Sequence, residues 1–207
     1  MKKLLTIICV LFMAITVNAQ DPKTFSLNVY GGYTFPERVK FDAFYTDVKA
    51  GFQYGGELEY IVMRNQSIQL KYMRMDTEFP LYTINGNHVT TGNEKGALNY
   101  ILIGGNSYFP KTASQKAVPY LGGDLGVGII EGPGSSTKFA FDIQAGVKIK
   151  TSSMISFKLQ AYLQSIISTF GNDYWLGYYG GVYAVPDYAS ILQFGLGGAI
   201  CFDFKKK

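Results

Sequence analysis

The stretch from Lys138 to Ile167 constrains this chain more than any other, because it keeps a period of two through two long runs joined by a short polar turn. Phe139, Phe141, Ile143, Ala145, Val147 and Ile149 share one face, opposite Lys138, Asp142, Gln144, Lys148 and Lys150. Ile155, Phe157, Leu159, Ala161 and Leu163 then oppose Ser156, Lys158, Gln160, Tyr162 and Gln164. A dozen residues of strict alternation cannot be helical, since a helix repeats near 3.6 residues and a strand at 2. One face is wholly apolar and the other carries lysines, an acid and glutamines. Strands of about ten residues with an unbroken apolar face suit a barrel whose outside meets lipid.

Residues 1–19 read as a secretory leader outside the fold. Lys2 and Lys3 form the positive region, Leu4 to Val17 the apolar one, and Val17-Asn18-Ala19 the cleavage site. The expected division is therefore a signal peptide at 1–19 and a barrel domain at 20–207. Of the 19 Lys+Arg and 15 Asp+Glu, two lysines leave with the leader, and Lys205, Lys206 and Lys207 sit at the other end. The body is then nearly neutral, which argues against nucleic acid as a partner. Cys9 leaves with the leader, so Cys201 is alone and no internal disulfide is possible. No later stretch is long and apolar enough for a spanning helix. With the last strand reaching Phe204, no soluble C-terminal domain is expected.

Alternation elsewhere predicts strands over Phe25–Phe35, Gly51–Met63, Ser67–Met75, Ala97–Phe109, Val118–Ile130 and Ser190–Phe204. With the opening hairpin these make an all-β, eight-stranded antiparallel up-and-down transmembrane barrel. The fourth strand is the least regular, because Ile101 and Ile103 fall on the face expected to be polar. The segments Pro36–Ala50, Asp76–Lys95 and Ser168–Ala189 read as long loops, and Arg64–Gln66 as a short turn. Long loops alternating with short turns, with an even strand count, put both chain ends on the periplasmic side. Within the hairpin, Lys148 opposite Lys158 would oppose like charges. The expected register therefore pairs Lys148 with Ser156 and Ile149 with Ile155, leaving a loop at 151–153.

The leader, the eight alternating strands, the run Val118-Pro119-Tyr120-Leu121-Gly122-Gly123-Asp124-Leu125-Gly126 and the ending Phe202-Asp203-Phe204 together resemble the small outer-membrane barrels of the OmpA/OmpX type. In that family the fifth strand often opens on a Pro-Tyr-x-Gly run. The last strand closes on an aromatic that resembles the signal read by the barrel-assembly machinery. Here three lysines follow that aromatic. The resemblance implies a fold, an outer-membrane location and passage through that machinery; it implies no reaction.

Glu57, Glu59, Lys71, Asp124, Asp142, Lys148, Lys158 and Asp203 are placed on inward faces. An eight-stranded barrel is just wide enough for side chains to fill, so these residues are expected to form an ion-pair network rather than to line a channel. No histidine accompanies the acids and no spacing matches a ligand motif, so no metal, cofactor or catalytic site is expected. His88 lies in the second long loop without a nucleophile beside it and reads as an ordinary loop residue. Tyr174, Trp175, Tyr178, Tyr179 and Tyr183, with Tyr188, crowd the last long loop. They suit the outer aromatic girdle, or else a surface for a sugar, a protein or another barrel. The glycine pairs lie inside strands, where they permit sharp bends.

The function expected is structural or interactive: an integral outer-membrane barrel, in contact with outer-membrane lipid, whose external loops meet a partner outside the cell or in the same membrane. The alternatives are a porin for small solutes, a lipid-modifying barrel enzyme and a soluble periplasmic barrel of lipocalin type.

Overall fold

The computed structural model describes residues 24–40, 44–63, 65–83, 85–89, 94–112, 114–132, 136–151, 154–167 and 190–205. The leader and the aromatic residues 174–188 lie outside them. Twelve strands follow in chain order: β1 Thr24–Thr34, β2 Glu37–Lys40, β3 Phe44–Val48, β4 Gly51–Met63, β5 Gln66–Glu78, β6 Leu81–Thr83, β7 His88–Val89, β8 Lys95–Tyr108, β9 Ala117–Glu131, β10 Ser136–Lys150, β11 Ile155–Ile167 and β12 Ser190–Lys205. The eight long ones close into a barrel in the order β1-β12-β11-β10-β9-β8-β5-β4, with β4 returning to β1 and every pair antiparallel. Closure leaves the barrel no unpaired edge, so its backbone needs no water at the level of the wall.

The strands are strongly staggered. Direct partners lead from Asn28 through Glu57, Lys71, Leu102, Gly126, Ala140 and Ile166 to Ile191. Since Thr34 pairs with Gly195, Ile191 stands at the level of position 38, ten residues beyond the starting 28. A closed sheet with such a shear has strands tilted by about 35–45°.

Alternation sorts the side chains as the sequence predicts. Val29, Phe52, Leu70, Ile103, Leu125, Ile143, Leu159 and Leu196 point out and are exposed, Ile103 to 66% and Leu159 to 59%. Lys71, Lys158, Asp124, Asp142 and Gln144 point in and are buried. An apolar exterior around an ionic interior is the reverse of a soluble protein.

Three expectations are corrected. First, Lys148 pairs directly with Lys158, Ile149 with Phe157 and Lys150 with Ser156. Both lysines point into the lumen, where acids on other strands neutralise them, so the like-charge argument fails. Second, the segments expected to be loops at 36–50 and 76–95 contain strand. β5 runs on to Glu78, and β2, β3, β6 and β7 form a separate antiparallel sheet in that order. Third, Ile101 and Ile103 face outward, and the inward face of β8 is itself largely apolar, with Leu98, Tyr100 and Leu102 buried.

The lumen is therefore layered. Toward the chain ends and short turns it is ionic. Toward the long loops, Met73, Met75, Leu98, Tyr100, Leu102, Ile130, Ile166 and Ile191 form an apolar cluster. Val39, Val48 and Phe79, from the small sheet and its root, join that cluster and cap it.

Candidate functional site

Two features stand out: the ionic half of the lumen and the outer face of the capping sheet. The first is built by strands that are not neighbours in the wall. Lys71 of β5 reaches across to Asp124 of β9 (2.8 Å) and Asp142 of β10 (2.7 Å). These two carboxylates are direct cross-strand neighbours, so one ammonium separates two like charges. It also donates to Gln144 Oε1 at 2.8 Å. Lys158 of β11 serves Glu57 (2.6 Å) and Glu59 (3.0 Å), two residues apart on the inward face of β4. Lys148 pairs with Asp203 at 3.0 Å nearer the mouth on the chain-end side.

The acids outnumber these lysines, and neutral donors add further hydrogen bonds, with Asp142 Oδ1 alone among the carboxylate oxygens of Asp124 and Asp142 left without a partner. Gln69 Nε2 donates to both oxygens of Asp124 at 2.7 and 2.8 Å. Ser67 and Tyr108 each donate to Glu59 Oε1 at 2.5 Å, and Asn106 at 3.1 Å. Asn28 Nδ2 donates to Glu57 Oε1 at 2.7 Å, and Ser156 to Asp203 at 2.6 Å. A buried carboxylate needs such partners, because an uncompensated charge there costs several kcal/mol (order of magnitude). The eight inward residues singled out in the sequence thus come together in three linked groups. The same layer holds Gln69, Asn106, Gln144, Ser67 and Tyr108, which alternation places inward without saying what they touch.

Above the ionic layer two buried tyrosines meet inside the wall. Tyr162 lies over Gly195, its direct partner on β12, and Tyr30 lies over Gly197 and Gly32. A Cβ at Gly195 or Gly197 would collide with those rings. These glycines give inward aromatics room to cross the lumen, a more specific role than bending. The two rings meet edge to face at 6.0 Å, and the Tyr162 hydroxyl shares a hydrogen bond of 2.7 Å with Thr34.

The capping sheet has unlike faces. Val39, Thr46 and Val48 are buried toward the lumen. The other face carries a ladder across all four strands: Arg38 lies over the Tyr45 ring at 4.3 Å, Tyr45 stacks on Tyr82 at 5.1 Å, and Tyr82 meets His88 at 5.3 Å. Asp47 clamps Arg38 through Nε at 2.7 Å, a pairing that raises the guanidinium pKa. His88 Nε2 is 2.8 Å from Glu94. Among the described residues no group of His, Cys, Asp and Glu could hold a metal ion.

No protein-family model and no curated relative matches the chain. Solved structures do. The outer membrane protein OprG from Pseudomonas aeruginosa superposes with a TM-score of 0.60 over 91% of this chain and 99% of that one, at 11% identity. The chain folds as a small outer-membrane-type β-barrel. Neisserial surface protein A is similar too, with a TM-score of 0.51 over 88% of this chain and 97% of that one, at 14% identity. At these identities the likeness is one of fold alone. Little in the residue pattern marks the capping sheet. Its strands run from two to five residues, too short for period-two alternation to stand out. The available signal was the short run Tyr45-Thr46-Asp47-Val48, which puts Thr46 and Val48 on one face and Tyr45 and Asp47 on the other.

Proposed function

We propose that the protein is an integral barrel of the outer membrane, exported by a leader cleaved after Ala19, with its chain ends in the periplasm. In this reading it conducts no solute and catalyses no reaction. It holds a rigid wall in the bilayer and presents its capping sheet and long loops to a partner at the cell surface. The observation that carries this reading is the closed interior. Ion pairs cross one half of the lumen, an apolar cluster shares the other half with the buried Gln53, Gln164 and Gln193, and Val39, Val48 and Phe79 lie over it. A porin needs a continuous aqueous path, and a wall of this strand number is just wide enough for side chains to fill. The Arg38–Tyr45–Tyr82–His88 ladder supports the interactive role, since arginine and tyrosine are the residue types enriched where proteins meet partners.

Reconstitution into planar bilayers tests the reading. The expected result is insertion without conductance steps; regular single-channel steps would favour the porin. Recovery of the native protein in the soluble periplasmic fraction would remove the membrane assignment. Crosslinking in intact cells, followed by identification of neighbours, would supply the partner.

A further inference from the structure

The two ends of the barrel handle charge differently. At the long-loop end cations and acids pair with one another: Arg38 with Asp47, Arg74 with Asp76 and Glu131, and His88 with Glu94. At the chain-end mouth the exposed charges have one sign. Lys111 and Lys116 in the β8–β9 turn and Lys150 at the end of β10 are all exposed. Among the described residues no carboxylate pairs with any of the three. The acids of this end, Glu59 and Asp203, belong to the lumen, where Lys158 and Lys148 already hold them. Lys205 closes β12 opposite Thr24. Lys23, Arg64, Lys206 and Lys207 adjoin the same strand ends in sequence, against one acid, Asp21.

The three exposed lysines sit on turns that are tied together. Lys150 N donates to Lys116 O at 2.8 Å, which joins the β8–β9 and β10–β11 ends. Gln115 closes the first turn: Lys111 N donates to its Oε1 and its Nε2 donates to Ala117 O, both at 2.6 Å. Asp203 N donates to Met154 O at 2.8 Å and fixes the second turn to β12. The apolar exterior runs right up to this rim, since Phe109 and Met154 are 56% and 61% exposed. A lysine stem lies along such apolar surface while its ammonium reaches the polar boundary. An apolar wall that ends on lysines therefore places their charges where acyl chains give way to headgroups.

We infer that this basic rim binds anionic phospholipid in the leaflet on the chain-end side, with the ammonium groups of Lys111, Lys116 and Lys150 meeting its phosphate. Unbalanced charge is the discriminating feature. A zwitterionic headgroup brings a cation of its own against the lysines, whereas an anionic one does not. The exposed Phe109 and Met154 favour a lipid over a soluble acidic partner, because they need acyl chains beside the charges. The inference rests on the membrane-spanning reading of the barrel.

The test uses detergent-solubilised protein whose electrophoretic mobility shifts on heating, as a closed barrel's does. Native mass spectrometry then measures retention of short-chain phosphatidylglycerol, short-chain phosphatidylcholine and glycerol phosphate. Phosphatidylglycerol should be retained in preference to both others, with about fivefold for each lysine that contributes. K111Q/K116Q/K150Q should lower phosphatidylglycerol retention by at least about tenfold, while leaving phosphatidylcholine retention and the mobility shift intact. K40Q/K49Q, at the long-loop end, should retain phosphatidylglycerol like the parent. Equal retention of phosphatidylcholine, equal retention of glycerol phosphate, or the same loss in both variants would overturn the site while leaving the barrel. A protein without a heat-dependent shift, or one that stays soluble without detergent, would instead overturn the membrane reading on which the site depends.

Discussion

Lys148 and Lys158 stand directly opposite each other on β10 and β11, yet their charges go to different acids. Lys148 turns to Asp203 on β12, while Lys158 crosses the lumen to Glu57 and Glu59 on β4. The repulsion expected of facing lysines is absorbed by partners that no two-strand argument contains.

Removing Lys158 should be the more damaging of the two changes. Lys158→Met leaves Glu57 and Glu59 buried with no cation, a change that costs about 3–5 kcal/mol. Lys148→Met should cost roughly 1–2 kcal/mol, since Asp203 is only partly buried and keeps Ser156. Urea unfolding in detergent micelles measures both. The combination of Lys158→Met with Glu57→Gln should recover part of the loss, which would establish the coupling.

Gly195→Ala should destabilise by about 1–3 kcal/mol, the usual cost of overpacking, because the new methyl meets the Tyr162 ring. Tyr162→Leu in the same chain should restore much of that loss. If the two changes add independently, the ring does not need the glycine. Mobility shifts on heating, followed against temperature, give the comparison.

Ile103→Arg separates a lipid-facing wall from a watery one. At a wall position exposed to 66%, the change should cost about 2–4 kcal/mol in a bilayer. On a water-exposed surface the same substitution would lie within about 0.5 kcal/mol. Unfolding from lipid vesicles reads the difference.

Cys201 is fully buried against the lumen. Its thiol should therefore resist maleimide in the folded barrel and react completely after denaturation. Rapid labelling of folded protein would mean that water enters the interior freely.

The parts of this structure legible in the sequence are those that alternation fixes locally. Leu159 out and Lys158 in follow from a period of two within one strand, and so do the inward positions of Glu57, Glu59, Lys71, Asp124 and Asp142. What lay beyond the sequence depends on partners far apart in the chain. The Lys158–Glu57 pair spans 101 positions, and the fit of Tyr162 to Gly195 exists only once the β11–β12 register is known. On β8, Leu98, Tyr100 and Leu102 made the faces look alike, because the lumen is apolar at that level and both sides of the strand are greasy. The capping sheet was hidden by the shortness of its strands.

Which side chains meet acyl chains is the central claim, and spin labels scanned along β11 measure it directly. Single cysteines from Ser156 to Leu163, in a Cys201→Ser background, would be labelled in the reconstituted barrel and tested for collision with oxygen and with a water-soluble nickel chelate. Oxygen access should peak at Phe157, Leu159, Ala161 and Leu163 and fall at Lys158, Gln160 and Tyr162, with the chelate excluded from the peaks. Peaks at the even positions, or chelate access at Leu159, would contradict the account.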